Sequence, residues 1–359
     1  MKKKIVVLAN NDVGLYNFRK ELLERLIKEG WEVCILLPNG DKIVELQKLG
    51  CVFYELPIDR RGTNPIRDFG LFLRIRKLLK RIKPEMVLTY TIKPNIYGGM
   101  AARFLHIPYV ANITGLGTAV EYSGILQLIT VQMYRIALKK AKCVFCQNKG
   151  NMEFIVNHRM VKGRLKLLPG SGVNLQRFAL QEYPEDGAIN FVFISRIMKE
   201  KGINEYLGAA AEIKMKYPNV QFHICGFCEE EFEDRLNKMQ EEGIVEYHGM
   251  VQDVRVILKD MHCAVLPSYH EGMSNVLLEA AATGRPLIAS NIPGCRECIE
   301  DGTSGFLVEV GNTVDLIEKI ETFVNRPYNQ KKEMGMEARK KVEQLFDRQQ
   351  IVDAYMEEI

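Results

Sequence analysis

Two glutamates eight residues apart, Glu271 and Glu279, are the residues of this chain that most directly suggest chemistry. They lie in the run PSYHEGMSNVLLEAAATGRPLIASN, where a Gly-Met-Ser-Asn turn separates the first glutamate from a helix-forming run. Ser274 or Asn275 can cap that helix, and the N–H groups of its first turn suit a phosphate. Carboxylates beside a phosphate site need another partner, and sugar hydroxyls are the obvious one. Spacing alone leaves a plain loop before a buried helix as the alternative.

A second group of candidates consists of cations. Arg196 and Lys201 follow the apolar run FVFIS and precede Gly202, which opens the helical run INEYLGAAAEIK. Arginine offers a planar fork and lysine a point charge, so the two together suit a diphosphate. Taken alone, the pattern also fits a solvated loop.

Strands and helices alternate along the chain, and these elements must position the candidates. The predicted strands of the first half are KIVVLAN, WEVCILLP, CVFYELP, MVLTYT, IPYVANIT and CVFCQN, and those of the second half are FVFISR, QFHICG, VEYHG, CAVLPS, PLIASN and GFLVEV. This alternation predicts parallel, doubly wound sheets, whose ligands bind beyond the carboxyl ends of the strands. We therefore predict an α/β protein with two Rossmann-like domains that face a central cleft.

The polar stretch LQEYPEDGAIN predicts the boundary between the two domains. We place an N-terminal domain at residues 1–180 and a C-terminal domain at residues 181–340. A long, charged helix is predicted at about residues 331–359.

Charge is distributed very unevenly along the chain. The net charge is only +4, but residues 1–180 carry 30 lysines and arginines against 13 aspartates and glutamates, a net +17, and the remainder carries 19 against 32, a net −13. No apolar run approaches the roughly 18 residues that cross a bilayer. The opening MKKKIVVLAN is typical of a first strand, so we expect a cytoplasmic protein.

The nine cysteines include three Cys-x-x-Cys pairs, Cys143/Cys146, Cys225/Cys228 and Cys295/Cys298. The first pair lies in a strand, where residues three apart point to opposite faces and cannot share a metal. The other two pairs leave a shared zinc site open. We expect buried thiols, because no signal peptide accompanies the cysteines in so long a chain.

The glutamate segment resembles the signature of the family-4 (group 1) retaining glycosyltransferases, which have the GT-B fold. The likeness lies in Glu271 with Gly272, in Glu279 with Ala280, and in the run GRPLIAS that follows. The segment SRIMKEKG resembles the family's G-R-L-x-x-x-K-G element, with Ser195 in the usual place of glycine. The resemblance covers residues 187–310 well and the N-terminal half more loosely, where it points to the bacterial surface-polysaccharide branch, which includes N-acetylgalactosaminyl, capsular and O-antigen glycosyltransferases.

The resemblance implies a role for each matched residue. Glu271 would face the donor sugar, Glu279 would hold the nucleotide ribose, and Arg196 with Lys201 would neutralise the diphosphate. The implied catalytic residues are Glu271, Arg196 and Lys201, and the implied donor-binding residues are Glu279, Gly272, Met273, Ser274, Asn275, Met250 and Val251. We add Gly14 to the donor site from its place between the first strand and the first helix, where a glycine lets backbone approach a phosphate; a plain tight turn explains it equally well.

An acceptor side is predicted in the loops that follow the fourth and fifth strands. Its candidate residues are Lys93, Asn95, Thr114, Gly115 and Gly117. Many family members carry a histidine at the position of Thr114, so a role for that histidine does not transfer to this chain. Lys93 fits a plain surface lysine as well as a sugar or phosphate contact.

We expect no cofactor and no metal ion, because cationic side chains take the place in which a metal would neutralise the leaving diphosphate. No Asp-x-Asp motif follows a predicted strand. The UDP-sugar donor is then a substrate.

Basic amphipathic helices in the first half suggest a membrane partner. The segment PIRDFGLFLRIRKLLKRIKP combines seven cations with Phe69, Leu71, Phe72, Leu78 and Leu79, and a second cluster ends the run GILQLITVQMYRIALKK. Such helices are attracted to anionic lipid surfaces, although a core-facing helix with a solvated side has the same pattern. The resemblance also implies that the helix at about 341–359, from Phe346 onward, completes the acceptor-binding N-terminal domain. We expect no nucleic-acid partner.

These observations predict a retaining glycosyltransferase on the inner leaflet of the cytoplasmic membrane. It would move a hexose or N-acetylhexosamine from a UDP-sugar to an undecaprenyl-diphosphate-linked saccharide in surface-polysaccharide synthesis. The alternatives are a GT-B-type UDP-sugar epimerase or hydrolase, and a protein that binds nucleotide sugars without turnover.

Overall fold

The structure is a computed structural model that describes residues 2–59, 62, 64–116 and 124–359. The chain forms two compact units. The first unit contains the residues up to Ser171 together with Arg348–Ile359, and the second contains Gly172–Asp347.

The first unit is a parallel sheet flanked by helices. Among the described residues its seven strands have the order β3-β2-β1-β4-β5-β6-β7. In chain order the elements are β1 (Lys4–Leu8), α1 (Asp12–Lys28), β2 (Glu32–Leu37), α2 (Ile43–Lys48), β3 (Val52–Glu55), α3 (Pro65–Ile82), β4 (Met86–Tyr90), α4 (Gly99–Phe104), β5 (Tyr109–Ile113), α5 (Ile125–Leu138), β6 (Cys143–Cys146), α6 (Lys149–Asn157) and β7 (Arg164–Leu167).

The second unit repeats this plan with six strands in the order β10-β9-β8-β11-β12-β13, all described and all parallel. Its elements are β8 (Ile189–Ile194), α7 (Ile203–Lys216), β9 (Val220–Cys225), α8 (Glu233–Glu241), β10 (Glu246–Tyr247), α9 (Arg255–Leu258), β11 (Cys263–Leu266), α10 (Asn275–Ala282), β12 (Leu287–Ser290), β13 (Gly305–Val308), α11 (Thr313–Val324) and α12 (Tyr328–Leu345). The predicted pair of Rossmann-like sheets is confirmed.

Continuous apolar runs form these strands because helices cover both faces of each sheet. In β1, Val6 and Leu8 belong to one apolar core of the first unit, whereas Ile5 and Val7 belong to the other. Successive residues of a strand point to opposite faces, so one short strand contributes side chains to two cores. Asparagine or serine side chains cap several helices at Asn11, Asn64, Asn148, Ser274 and Asn312.

The C-terminal segment differs from its prediction as one helix. It contains α12 and a separate helix, α13 (Arg348–Met356). Phe346 is buried in the core of the second unit, and its carbonyl accepts the Val173 N–H at 2.8 Å, which ends α12. The chain joins the first unit from Arg348, not from Phe346.

The segment that follows β7 packs on the second unit. Arg285 is fully buried there, and its guanidinium donates to the carbonyl oxygens of Glu182 and Lys259 at 2.9 and 3.0 Å. The polar run LQEYPEDGAIN is therefore held against the unit whose first strand follows it. Among the described residues, no helix combines the length and apolarity of a membrane span.

Candidate functional site

The lysine turn, residues 195–202, connects β8 to α7 at the carboxyl edge of the second sheet. Residues Lys199–Lys201 form one 3₁₀ turn, and Gly202 ends it in the left-handed region at φ 76°. A Cβ atom at Gly202 would overlap the carbonyl oxygen of Pro267. Glycine is thus required both by the backbone conformation and by close packing, and this packing places Lys201 against the loop that contains Glu271.

Lys201 and Glu271 form a largely buried ion pair. Lys201 Nζ lies 2.7 Å from Glu271 Oε1, and the two side chains are 14% and 15% exposed. Ser268 Oγ donates to the same carboxylate oxygen at 3.1 Å. Two donors therefore hold the carboxylate in position through Oε1.

The Glu271 loop, residues 267–274, takes its shape from Gly294. Gly294 has φ 91°, and a Cβ atom there would lie 2.8 Å from the Gly272 oxygen. The Gly294 carbonyl accepts the Ser274 N–H at 2.9 Å. That amide, a predicted donor-binding group, is therefore already bonded within the protein. The Ser274 hydroxyl caps α10 by accepting the Leu277 N–H at 3.4 Å.

The residues on either side of Ser274 present different groups. The Met273 side chain is buried and its sulfur lies 3.8 Å from Cys298 Sγ, so Met273 offers a ligand only its backbone. Asn275 Oδ1 is buried and has no hydrogen-bond partner among the described residues. Glu279 lies partly buried on α10, one turn further along.

Two buried thiols lie behind the loop. Cys295 and Cys298 are inaccessible, and burial raises the pKa of each thiol well above its usual range. None of the cysteines, all of which the structure describes, belongs to a group of three side chains within reach of one metal ion. The expectation of buried thiols fits eight of them, and Cys228 is partly exposed.

Arg196 has a different partner from Lys201. Its guanidinium forms an ion pair with Glu229, and the two side chains are 45% and 17% exposed. The structure therefore does not join the two predicted cations through a shared partner. A diphosphate that engages Arg196 must share the guanidinium with Glu229 or displace that carboxylate.

The predicted nucleobase segment follows β10. Gly249 has φ 62°, and its carbonyl accepts the Gly226 N–H at 2.7 Å. Met250 is 73% exposed, whereas Val251 packs partly against the core. Met250 therefore has a free surface on which a planar group can lie.

In the first unit, Lys93 is not a plain surface lysine. Its Nζ lies 2.6 Å from Asp68 Oδ1, both side chains are 14% exposed, and the Tyr97 hydroxyl donates to Asp68 Oδ2 at 3.0 Å. Burial and this hydrogen bond raise the pKa of Tyr97. The cation is thus oriented, but its charge is already compensated.

Asn95 is fully buried, and its side chain hydrogen-bonds residues at the ends of β4 and β5. Its Oδ1 accepts from the Thr89 hydroxyl at 2.7 Å, and its Nδ2 donates to the Asn112 carbonyl at 2.7 Å. Asn112 in turn donates to the Thr89 carbonyl at 2.9 Å and accepts from Tyr355 of α13. Asn95 therefore has no exposed surface for an acceptor, and we assign it a positioning role.

The remaining predicted residues of the first unit lie at strand ends. Thr114 and Gly115 directly follow β5 and are partly buried. Gly14 lies within the first turn of α1, not between β1 and α1 as predicted, and its N–H donates to the capping Asn11 side chain. Gly117 lies outside the described residues.

Sequence reasoning missed a tyrosine–carboxylate pair beside the site. The Tyr269 hydroxyl donates to Glu205 Oε1 at 2.7 Å, which raises the pKa of Tyr269 to about 12. Glu205 is buried in the first turn of α7, and its Oε2 has no partner in the described part of the chain. The only sign of this pair in the sequence is Tyr269, which lies two residues before Glu271.

Known protein families match both halves of the chain. Residues 188–326 match the family described as "Glycosyl transferases group 1", and residues 4–148 match "Glycosyl transferase 4-like". The chain therefore combines a glycosyl transferase 4-like domain with a group 1 glycosyltransferase domain. Its two sheets are those of a GT-B enzyme.

Individual relatives extend over most of this glycosyltransferase. The N,N'-diacetylbacillosaminyl-diphospho-undecaprenol α-1,3-N-acetylgalactosaminyltransferase of Campylobacter jejuni is 26% identical, covering 88% of each chain. The UDP-Gal:α-D-GlcNAc-diphosphoundecaprenol α-1,3-galactosyltransferase of Escherichia coli is 25% identical, covering 87% of this chain and 83% of its own. Among solved structures, Anabaena HepE in complex with UDP and glucose has a TM-score of 0.80 at 16% identity, covering 99% of this chain and 98% of its own.

Proposed function

We propose that this glycosyltransferase moves a hexose or N-acetylhexosamine from a UDP-sugar to an undecaprenyl-diphosphate-linked saccharide, with retention of the anomeric configuration. The buried Lys201–Glu271 pair carries the proposal, because it places a cation and an oriented carboxylate together at the carboxyl edge of the second sheet. Glu271 would accept hydroxyl groups of the donor sugar, and Glu279 those of the ribose.

Cationic side chains would stabilise the leaving group. As the glycosidic bond breaks, negative charge develops on the departing diphosphate, and preorganised donors stabilise such charge. Lys201 and Arg196 would supply this stabilisation together with the amides near the start of α10. The reaction then needs no metal ion, so turnover should persist in the presence of excess chelator.

The nature of the substrates is inferred from relatives. Two of them act, by name, on diphospho-undecaprenol-linked sugars, and one of the two uses UDP-galactose. This chain aligns with each over more than four-fifths of its length. We therefore place the enzyme in capsule, O-antigen or glycan synthesis.

The first unit would dock on the inner leaflet of the membrane through α3 and α5. Exposed apolar residues are concentrated there, namely Ile66, Phe69, Leu73, Ile125, Leu126, Leu128 and Ile129. The cations Arg67, Arg74, Lys77, Lys80, Arg81 and Lys83 of α3 and its C-terminal end are exposed as well. Apolar side chains flanked by cations suit an anionic lipid surface.

The decisive experiment measures UDP release from a panel of UDP-sugars, with and without an undecaprenyl-diphosphate-linked acceptor. We expect release from one donor only when the acceptor is present, and its loss in Glu271→Ala and Arg196→Ala. Release without any acceptor would instead identify a hydrolase, and a changed sugar without release an epimerase. The anomeric configuration of the isolated product tests retention.

Docking is tested by sedimentation with lipid vesicles. A Phe69→Ser/Ile125→Ser variant should lose binding to vesicles that contain anionic lipid, because it removes apolar side chains that are 60% and 77% exposed. Met215→Ser in the second unit removes a side chain that is 78% exposed and is the matched control. Equal sedimentation of both variants and the parent would reject these helices as the membrane contact.

A further inference from the structure

Three metal-ligand side chains meet at one edge of the second sheet. His223 lies in β9, Glu246 lies opposite it in the edge strand β10, and His248 follows two residues later. Alternate residues of a strand share a face, so the pairing of the two strands gathers all three side chains. Because 25 residues separate the two histidines, sequence spacing alone gives no sign of the cluster.

The distances within the cluster match one coordination shell. His223 Nδ1 lies 3.0 Å from His248 Nε2 and 3.4 Å from Glu246 Oε2, and His248 Nε2 lies 3.7 Å from Glu246 Oε1. Ligand atoms bound tetrahedrally at about 2.0–2.1 Å from a zinc ion are roughly 3.3 Å apart. A cation among these three atoms therefore needs only small side-chain movements.

One ligand of the cluster is buried and another is exposed to solvent. His223 is 91% buried. The two imidazole nitrogens share one hydrogen bond, which a cation would replace. The Glu246 side chain is 62% exposed, so an ion can enter from solvent.

We propose that His223, Glu246 and His248 bind one divalent transition-metal ion of the zinc class, with solvent in the remaining position. Two imidazoles and a carboxylate suit such an ion better than Mg²⁺ or Ca²⁺, which prefer oxygen ligands. The ion would join the two-residue edge strand β10 to β9 just before the Gly249 turn. Its role is structural, separate from the Lys201–Glu271 pair.

Binding is tested by titrating Zn²⁺ and Co²⁺ into the full-length protein, followed by calorimetry and by visible absorption. We expect one bound equivalent. Glu246→Gln and His248→Gln should each weaken binding at least about tenfold, because loss of a supporting group of a metal site already has an effect of this size. Glu246 is exposed, so its substitution leaves the fold intact. Glu242→Gln and His106→Asn, which change an acid and a histidine outside the cluster, should bind like the parent.

The cobalt spectrum separates this site from the cysteines. Nitrogen and oxygen ligands give d–d absorption without the near-ultraviolet charge-transfer band of a cobalt–thiolate bond. A thiolate band, the absence of a bound equivalent, or binding that is unchanged in both Glu246→Gln and His248→Gln would overturn the proposal.

Discussion

The first six strands of the first unit have the same order as the six strands of the second unit, but the residues at the carboxyl edges of the two sheets differ. In the second unit, the residues that follow β8 and β11 meet as the Lys201–Glu271 pair. In the first unit, the side chains at the ends of β4 and β5 hydrogen-bond one another through Thr89, Asn95 and Asn112. The second unit thus joins the residues that follow two of its strands through an ion pair, whereas the first unit joins its strand ends through neutral polar groups and pairs Lys93 with Asp68 of α3.

This difference teaches what a polar residue at a strand end signifies. The paired side chains of Lys201 and Glu271 are 14–15% exposed and keep part of their surface open to solvent. An amide that is fully buried and bonded on both sides, such as Asn95, has no such access. Position in the fold is therefore not sufficient to assign a binding residue.

The largest effect on kcat is expected from substitutions in the Lys201–Glu271 pair. Lys201→Ala and Glu271→Gln should each lower kcat by about 10²–10³-fold, because each removes a preorganised group from the site of developing charge. Initial rates of UDP release measure the effect. Lys199→Ala changes an exposed lysine of the same turn and should retain the parental rate; a comparable loss in this variant would mean that the turn acts only through its general charge.

A substitution of glycine tests the packing that holds this edge together. Gly202→Ala should lower the free energy of unfolding by roughly 2–4 kcal/mol, since it combines backbone strain with overlap on Pro267. Gly243→Ala has a similar positive φ of 68° but no atom within 4 Å of the new Cβ. It should cost only about 1 kcal/mol. Urea-induced unfolding measures both, and equal costs would remove close packing as the reason for Gly202.

Loss of a hydrogen bond at the strand ends of the first unit should lower stability without lowering kcat. Tyr355→Phe removes the hydroxyl that donates to buried Asn112, and an unsatisfied buried acceptor costs about 1–3 kcal/mol. We expect a lower melting temperature and an unchanged kcat at temperatures where the variant is folded. A fall in kcat without loss of stability would show that the first edge takes part in the chemistry.

The smallest effect concerns thiol labelling. The cysteines of the first unit are all buried, and burial raises the pKa of Cys34 to about 11 and of Cys51 to about 12. In the second unit only Cys228 is partly exposed. Alkylation of the native protein near pH 8, followed by peptide mass spectrometry, should therefore label Cys228 first. Early modification of Cys34 or Cys51 would show that the first unit opens more readily than its packing indicates.

Much of the fold was predictable because apolar strands alternate with amphipathic helices throughout the chain. The break between α12 and α13 was not, because it depends on the burial of Phe346 and its bond to Val173, which are distant in sequence. The motif around Glu271 likewise predicted which loop carries the ion pair with Lys201 at the carboxyl edge of the second sheet. The contribution of Gly294 was hidden, since it acts through backbone contacts that only the fold creates.

Pairing between side chains was the least predictable property of the site. The sequence shows that Arg196 and Lys201 lie near each other, but not that Glu229 takes one and Glu271 the other. The partner of Arg196 lies 33 residues away along the chain. Such choices depend on distances of a few ångströms, which spacing does not encode.

The Arg196–Glu229 pair has a consequence for turnover. If the diphosphate of the proposed donor displaces Glu229 from Arg196, it takes the place of a carboxylate that belongs to the same unit. Glu229 then acts as a built-in competitor for the arginine, which weakens the hold on UDP once the sugar has left. An enzyme that must release an anionic nucleotide in every cycle gains from carrying its own replacement anion.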